Sequence, residues 1–250
     1  MNTLRSIADI ISEVQKRGSV RTAVAAPHDV PTMDALLHAV DAGLILPTLF
    51  GDGRLICELM NGRHPELEVV DCPEGFVQRA VDAVRDGQCQ LLMKGSVPTP
   101  ALLSACLNKA TGINTGSTLC HIVASEIPGW DRLLTISDGG MNILPSIEQK
   151  VQIAKNMIRV LHRLGVETPK IALLASVEEV GLKNPATMDA AILTQMNRRG
   201  QLKGAIVDGP LALDNILSAE AAKKKHIESA VAGCADGIIV PNIETGNTLL

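Results

Sequence analysis

The sequence predicts an α/β fold in which mostly parallel sheets are covered by helices. Short apolar runs alternate with longer segments of helical periodicity almost throughout the 250 residues, as in chains built from βαβ units. Hydrophobic residues make up 46% of the chain and charged residues 20%, which is typical of a globular protein with a sizeable core. Aromatic residues are only 1%, so that core must consist mainly of Ala, Val, Ile, Leu and Met.

Nine apolar runs are predicted strands, because they are short, rich in aliphatic residues and bounded by turn-forming residues. They are 22–27, 45–50, 67–72, 90–95, 118–127, 132–137, 170–176, 204–208 and 237–241. Eight further segments, most of them between these strands, carry helical periodicity and are predicted helices. They are 4–17, 32–41, 54–61, 75–86, 100–110, 147–164, 185–199 and 211–225.

Three predicted helices also have recognisable first residues. Thr99 and Asn184 each precede a proline, so each places a capping side chain before a residue that suits the first helical position. Ser146 and Gln149 have the spacing of a capping box, in which each side chain satisfies a backbone N–H group of the other residue. These local signals predict where the helices begin.

One stretch departs from the alternation of strand and helix. Runs 118–127 and 132–137 follow each other directly across the turn-forming residues 128–131, which predicts a hairpin that is a candidate domain boundary or oligomer contact. We therefore predict a first α/β domain over 1–117, which the C-terminal part of the chain can complete, and a second over 118–250. Residues 245–250 resemble the first turn of a helix that follows the predicted strand 237–241. The pattern therefore predicts that either a further unit of this fold or another chain covers the edge of the sheet at that strand.

Charge and composition exclude several classes of function. The net charge is −4, from 23 basic and 27 acidic side chains, which gives no general attraction for nucleic acid or an anionic membrane. No apolar run approaches the roughly 18–20 residues that span a bilayer, and the N-terminal segment lacks the features of a signal peptide. The six cysteines form no CxxC pair and the six histidines form no HxH or HExxH group, so we expect reduced thiols, no metal site and a cytoplasmic protein.

Four polar clusters follow predicted strands, at 94–99, 137–142, 208–210 and 241–244. The carboxyl ends of parallel strands meet at one edge of a sheet, where ligands bind. The first cluster is the best phosphate candidate, because Gly95 permits close approach of backbone N–H groups, Lys94 supplies a charge and a helix N-terminus follows. Ser96 and Thr99 add hydroxyl donors. The alternative is an ordinary strand-to-helix turn with Lys94 solvated and Thr99 acting only as a cap.

The other clusters offer carboxylates. Asp138 precedes two glycines and is a candidate catalytic group over a backbone-lined cleft, with an ordinary tight turn as the alternative. Asp208 and Asp214 are candidates for orienting a substrate or accepting a proton. Alternatively, Asp208 only ends a strand and Asp214 is solvated. We expect the run 223–226 to be the solvated end of a helix, where cations suit the helix dipole.

Eight segments together resemble the phosphate acetyl/butyryltransferase family, and most closely its phosphate butyryltransferase branch. The resemblance covers nearly the whole chain from about Thr22 onward. The matching segments are LMKG (92–95) with Thr99, NTGSTLCH (114–121), EIPGWDRLL (126–134), DGGMN (138–142), EQKVQI (148–153), PATMDA (185–190), KGAIVDGPLALDN (203–215) and PNIETGN (241–247).

This resemblance implies transfer of a short acyl group, expected to be butyryl, directly between coenzyme A and inorganic phosphate in a ternary complex. It also implies a two-domain arrangement like that of isocitrate dehydrogenase with an interdomain cleft, a homodimer, and no tightly bound cofactor or metal. The matching positions on the phosphate side are Lys94, Gly95, Ser96 and Thr99. The implied catalytic candidates are Asp138, Asp208 and Asp214, and the candidates for the coenzyme A and acyl cleft are Gly139, Gly209, Asn242 and Glu244.

Two other hypotheses stay open. A nicotinamide-dependent hydroxy-acid dehydrogenase of the same fold is one, although no GxGxxG segment follows a predicted strand. The second is a protein that binds acyl-CoA without catalysis. The resemblance implies that a Ser-Arg pair and an acidic residue from a later strand take part in the reaction. A chain that ends at Leu250 would lack all three. Asn242 also stands where the family usually has Asp, and Thr245 where Ala is usual.

Overall fold

The computed structural model describes residues 3–250, which divide into two compact units. One unit is Ile11–Gly116, and the other is Ser117–Leu250 together with the N-terminal segment up to Ile10. Each unit contains its own sheet with helices packed on it, so the predicted α/β class is confirmed. The predicted domains 1–117 and 118–250 stay a prediction.

The secondary structure follows the predicted order closely. The strands are β1 Val20–Ala25, β2 Ile45–Gly51, β3 Glu68–Asp71, β4 Leu91–Lys94, β5 Val123–Glu126, β6 Leu133–Ser137, β7 Lys170–Leu174, β8 Ile206–Leu211 and β9 Gly237–Ile239. The helices are α1 Ile7–Arg17, α2 Val30–Asp41, α3 Gly53–Met60, α4 Phe76–Arg85, α5 Thr99–Leu107, α6 Ile147–Arg163, α7 Pro185–Arg198, α8 Leu213–Leu217, α9 Ala219–Lys224 and α10 Ile243–Leu249.

The unit Ile11–Gly116 has a four-stranded parallel sheet in the order β3-β2-β1-β4. Successive side chains of β1 point to opposite faces, so Val24 packs with α2 and α3, whereas Ala23 packs with α4 and α5. The core on the α2 side is aliphatic and includes the fully buried Leu36 and Ile56. Both faces of the sheet therefore carry helices, as parallel strands require.

The unit Ser117–Leu250 has a five-stranded sheet in the order β5-β6-β9-β7-β8. β5 and β6 are antiparallel, with Glu126 opposite Leu133, and this confirms the predicted hairpin. The other neighbouring strands are parallel. Helices α6 and α7 pack on one face, where Met157 is fully buried, and α8 packs on the other through Ile216.

Some predicted boundaries are wrong. The predicted strand 204–208 continues to Leu211, because β8 passes through the Gly209-Pro210 pair instead of turning there. The predicted helix 211–225 is interrupted at Ser218, whose extended backbone ends α8 and whose hydroxyl caps α9. The helical turn predicted at 245–250 is part of α10, which begins two residues earlier at Ile243. Within residues 3–250, no helix has the length and apolar character needed to cross a membrane.

The predicted capping residues differ in outcome. The capping box of Ser146 and Gln149 is confirmed at the start of α6. Thr99 is not a cap, because Pro98 occupies the capping position and Thr99 is the first residue of α5. Asn184 occupies the capping position of α7, but its side chain makes no capping hydrogen bond and its amide donates to the Ser176 hydroxyl instead, at 3.1 Å.

Candidate active site

The carboxyl edge of the five-stranded sheet contains a topological switch point. β7 is followed by α7, which packs on one face of the sheet together with α6. The neighbouring strands β8 and β9 are followed by α8 and α10, which pack on the opposite face through Ile216 and Leu249. Connections that leave adjacent strands towards opposite faces open a crevice between them, which is where open α/β sheets bind ligands.

A cleft of about 470 Å³ lies at this switch point. Its size is within the range of small-molecule sites. The lining residues come from the end of β7 and from the segments after β7, β8 and β9, and none of them is charged. They are Leu174, Ala175, Ser176, Asn184, Ala186, Ala212, Leu213, Pro241, Asn242, Thr245 and Leu249.

Three polar side chains in the cleft keep unused hydrogen-bonding groups. Asn242 caps α10, because its Oδ1 accepts the Thr245 N–H at 2.9 Å and the Thr245 hydroxyl at 2.7 Å. Within residues 3–250 nothing pairs with the Nδ2 amide of Asn242, the hydroxyl hydrogen of Ser176 or the Oδ1 of Asn184. The cleft therefore offers uncharged donors and an acceptor beside an apolar wall, which suits an amide or thioester better than a phosphate.

Asp138 holds the turn that follows β6. Its side chain is 2% exposed, and Oδ1 accepts the N–H groups of Gly140 and Met141, each at 3.0 Å. Oδ2 accepts the Nδ2 amide of Asn142, which also donates to the Leu119 carbonyl. The carboxylate is thus occupied within its own turn, as in the tight-turn alternative. Its catalytic role stays a prediction.

Gly139 and Gly246 bring two of the sequence motifs into backbone contact. A Cβ on Gly246 would lie 2.6 Å from the Gly139 Cα, and one on Gly139 would lie 2.9 Å from the Gly246 carbonyl carbon. Asn247 Nδ2 donates to the Gly139 carbonyl at 3.4 Å. The turn after β6 therefore rests directly on α10, which carries Asn242. Sequence reasoning singled out Gly139 but missed Gly246, although a glycine inside a helix is itself a signal of close packing.

Asp208 is not at the edge of the sheet. It pairs with Ala172 in the middle of the β7–β8 ladder, so its predicted position directly after a strand is wrong. Its nearest cation is Arg198, at 3.9 Å. Gly209 follows in the same strand, and a Cβ there would lie 2.7 Å from the Leu173 side chain. These two residues therefore lie within the sheet, and β7 separates them from β9.

Asp214 belongs to an ion-pair cluster that ties together two segments bordering the cleft. Lys225 Nζ lies 2.9 Å from Glu178 Oε1, after β7, and 3.0 Å from Asp214 Oδ2, at the start of α8. The Lys225 hydrogen bonds lower the pKa of both carboxyls. The run 223–226 is therefore not merely a solvated helix end. Glu244 is exposed in the first turn of α10.

The predicted phosphate segment lies in the other unit, after β4. Gly95 is required there, because a Cβ would lie 2.2 Å from the Ala26 carbonyl oxygen. The Ser96 N–H donates to the same oxygen at 2.7 Å. Lys94 Nζ donates to the carbonyls of Gly95 and Val97, at 3.2 and 3.0 Å, so the ammonium also fixes the turn.

Sequence reasoning missed Asp29, which adjoins this segment. The Ser96 hydroxyl donates to the Asp29 carboxylate, which also caps α2 by accepting the Thr32 N–H at 2.8 Å. The Ser96 hydrogen bond is the main cause that lowers the pKa of Asp29. Ser96 is therefore oriented by an acid in this conformation. Asp29 has the pattern of a helix cap before Pro31, but no local pattern signals its contact with Ser96, since 67 residues separate the two.

Two cysteines near the motifs are poor nucleophiles. Burial raises the pKa of the Cys106 and Cys120 thiols, so both are protonated at neutral pH. We expect Cys106→Ala and Cys120→Ala each to leave turnover within several-fold of the wild type in a thiol-release assay. A trapped acyl-cysteine in either position would contradict this expectation. Within residues 3–250, no group of three His, Cys, Asp or Glu side chains is arranged to hold a metal ion.

Comparisons with known proteins agree on one group. A family model described as phosphate acetyl/butaryl transferase matches residues 68–250. A phosphate acetyltransferase from Thermotoga maritima is 44% identical over 241 residues, which cover 95% of this chain and 82% of the relative. A phosphate butyryltransferase from Clostridium acetobutylicum is 38% identical and is matched over 98% and 83% of the two chains. The crystal structure of a branched-chain phosphotransacylase from Enterococcus faecalis V583 matches with a TM-score of 0.79 and 28% identity, over 92% of this chain and 82% of that one.

Proposed function

The chain belongs to the phosphate acetyl/butaryl transferase family, and we propose that it converts butyryl-CoA and inorganic phosphate into butyryl phosphate and coenzyme A. The acyl transfer itself follows from the family, and the choice of butyryl is the proposal. The uncharged cleft at the switch point supports it most directly. Leu174, Leu213 and Leu249 give that cleft an apolar wall suited to a short alkyl chain.

The chemistry needs a bound thioester and a bound phosphate. A phosphate oxygen attacks the thioester carbonyl, a C–O bond forms, the C–S bond breaks, and the thiolate takes the proton that phosphate loses. We propose that Asn242 and Ser176 donate hydrogen bonds to the acyl-CoA, with Gly139 keeping α10 in place. Lys94 and the segment Gly95–Thr99 bind the phosphate. Holding both substrates can supply about 7–11 kcal/mol of the barrier reduction.

A general base contributes about 10²–10⁴-fold in such reactions. Among the three predicted carboxylates the geometry favours Asp214, because it lies at the carboxyl edge and its side chain is 52% exposed. Asp138 is occupied by its own turn, and Asp208 lies within the sheet. Lys225 lowers the pKa of Asp214, so this carboxylate is a weaker base than a free aspartate and would act mainly by accepting a hydrogen bond from phosphate.

The test of the proposed function is phosphate-dependent release of thiol from acyl-CoA, followed with a disulfide reagent. Acetyl-, propionyl-, butyryl- and isobutyryl-CoA are compared, with each reaction repeated without phosphate. We expect the highest kcat/KM with butyryl-CoA. No release from any of the four would overturn the acyltransferase assignment, and acyl-CoA binding without turnover would indicate a binding protein instead.

Lys94→Ala is expected to raise the KM for phosphate by about tenfold while changing the KM for coenzyme A by less than about twofold. The reason is that Lys94 supplies the only full positive charge in the segment 94–99. Initial rates with each substrate varied in turn give both constants. Lys109→Ala is the control, since Lys109 is exposed in the same unit and lies outside that segment. Equal effects on the two constants would remove Lys94 from the phosphate role.

We also propose a cytoplasmic homodimer that works without a tightly bound cofactor. The family resemblance supports the dimer, and so does the exposure of Ile143 and Leu144, which are 69% and 76% exposed in the segment after the Asp138 turn. Sedimentation of the purified chain would test it. A monomer at micromolar concentration would contradict the dimer.

A further inference from the structure

The four-stranded sheet has a topological switch point of its own, between β1 and β4. These two strands are hydrogen-bonded neighbours. The helix after β1, α2, packs on one face of the sheet through Leu36, and the helix after β4, α5, packs on the opposite face through Leu102. A crevice therefore opens between the two connections at the carboxyl edge of this sheet. The segment 94–99 forms one side of the crevice, and the segment that ends in Asp29 forms the other.

The hydroxyl of Ser96 has its single proton committed inside this crevice. Oδ2 of Asp29 accepts the Ser96 hydroxyl, and it also accepts the Thr32 hydroxyl at 2.8 Å. An ionised carboxylate has no proton to give, so Ser96 is the donor in this contact. Within residues 3–250 no other group donates to the Ser96 oxygen, which keeps its lone pairs. An incoming group therefore meets a hydrogen-bond acceptor at Ser96.

Asp29 is held as the acceptor by the start of α2. Its Oδ1 accepts the Thr32 N–H at 2.8 Å, which caps the helix. Hydrogen bonds from Ser96 and Thr32, together with the charge of Lys94, lower the pKa of the Asp29 carboxyl, so it is ionised at neutral pH. Because Oδ1 is tied to the helix backbone, the oxygen that faces Ser96 is always Oδ2.

We propose that Asp29, acting through Ser96, makes the crevice selective for a tetrahedral anion that carries a proton, so that it takes phosphate and rejects sulfate. This inference rests on the proposed function, which places phosphate at the segment 94–99. At neutral pH inorganic phosphate keeps at least one P–O–H group, which can donate to the Ser96 oxygen, whereas sulfate has lost both protons. A site built to accept a hydrogen bond rejects an analogue that has no donor. The ammonium of Lys94 attracts both anions and does not discriminate between them.

The decisive variant is Asp29→Asn, which exchanges donor and acceptor at Ser96. Asparagine and aspartate cap helices about equally well, so an Oδ1 that keeps the Thr32 N–H still caps α2. The Nδ2 amide then takes the place of Oδ2 and donates to the Ser96 oxygen, which releases the Ser96 proton for an anion. The matched control is Asp52→Asn, because Asp52 caps α3 in the same unit and its carboxylate accepts hydrogen bonds from its own helix.

The test is a binding measurement on the full chain, so it does not depend on turnover. Titration calorimetry at neutral pH and constant ionic strength gives the Kd of inorganic phosphate and the Kd of sulfate. The ratio of the two constants is the readout, because a general change of charge moves both in the same direction. We expect wild type and Asp52→Asn to bind sulfate at least about tenfold more weakly than phosphate. In Asp29→Asn the ratio should fall to about one or below.

The same ratio in Asp29→Asn as in wild type would overturn the assignment, and so would equal binding of the two anions by wild type. An equal fall in Asp52→Asn would attribute the effect to lost charge and overturn it as well. If wild type binds neither anion but releases thiol from acyl-CoA in the presence of phosphate, the inference fails while the acyltransferase function stands. Discrimination that Asp29→Asn abolishes, in a chain that releases no thiol, would sustain the inference while the proposed function fails.

Discussion

Lys150→Ala is expected to lower the free energy of unfolding by about 3–5 kcal/mol, because it leaves a partly buried carboxylate without its counter-charge. Lys150 Nζ lies 2.6 Å from Asp189 Oδ2, and the two side chains are 6% and 22% exposed. The pair joins α6 to α7 beneath the residues that border the cleft. Urea denaturation followed by circular dichroism gives the free energy of both proteins.

The double variant Lys150→Met with Asp189→Leu removes the ion pair without leaving a lone buried charge. Comparing it with Lys150→Ala therefore separates these two contributions to the free energy of unfolding. We expect it to be within about 1 kcal/mol of wild type, since replacing both partners by apolar groups removes the desolvation penalty together with the attraction. Lys16→Ala is the exposed control. Its side chain is 70% exposed and its Nζ lies 3.7 Å from Glu13, so we expect no measurable loss of stability. A similarly small loss for Lys150→Ala would show that the pair is solvated.

Gly246→Ala is expected to destabilise the unit Ser117–Leu250 by about 2–3 kcal/mol and to weaken butyryl-CoA binding. The new Cβ would lie 2.6 Å from the Gly139 Cα and 2.8 Å from the Asp138 carbonyl oxygen, so the backbone must move. The displacement of α10 would carry Asn242 with it. Thermal denaturation and calorimetric titration with butyryl-CoA measure the two effects.

The sign of this effect is informative. In a helix without a close neighbour, replacing glycine by alanine stabilises by roughly 0.5–1 kcal/mol, because alanine loses less conformational freedom on folding. A gain in stability for Gly246→Ala would therefore contradict the contact with Gly139. Gly181→Ala is the control, since no atom lies within 4 Å of the Cβ it would add.

Local signals predicted the parts of the fold that local chemistry determines. The capping box at Ser146 and the hairpin across 128–131 were correct because a few neighbouring residues specify each of them. The same reasoning failed at Gly209-Pro210, which resembles a turn but lies inside β8, because the pairing of β8 with β7 resumes at Leu211 beyond an irregularity in the ladder.

The site was less predictable because its contacts are distant in sequence. Asn247 reaches Gly139 across 108 residues, and Lys225 reaches Glu178 across 47. No pattern within one helix or strand encodes such pairs. Motif resemblance marked Gly139, Asp214 and Asn242. Only the fold shows that the Asp138 carboxylate accepts hydrogen bonds from its own turn.

The uncharged character of the cleft also bears on substrate selection. An acyl group that ends in a carboxylate would have to give up its hydration with no cation among the lining residues to receive it. Monocarboxylic thioesters face no such cost. The protein would then select against dicarboxylic thioesters of any length because their second carboxylate cannot be accommodated. No contact that specifically favours monocarboxylic thioesters would be needed.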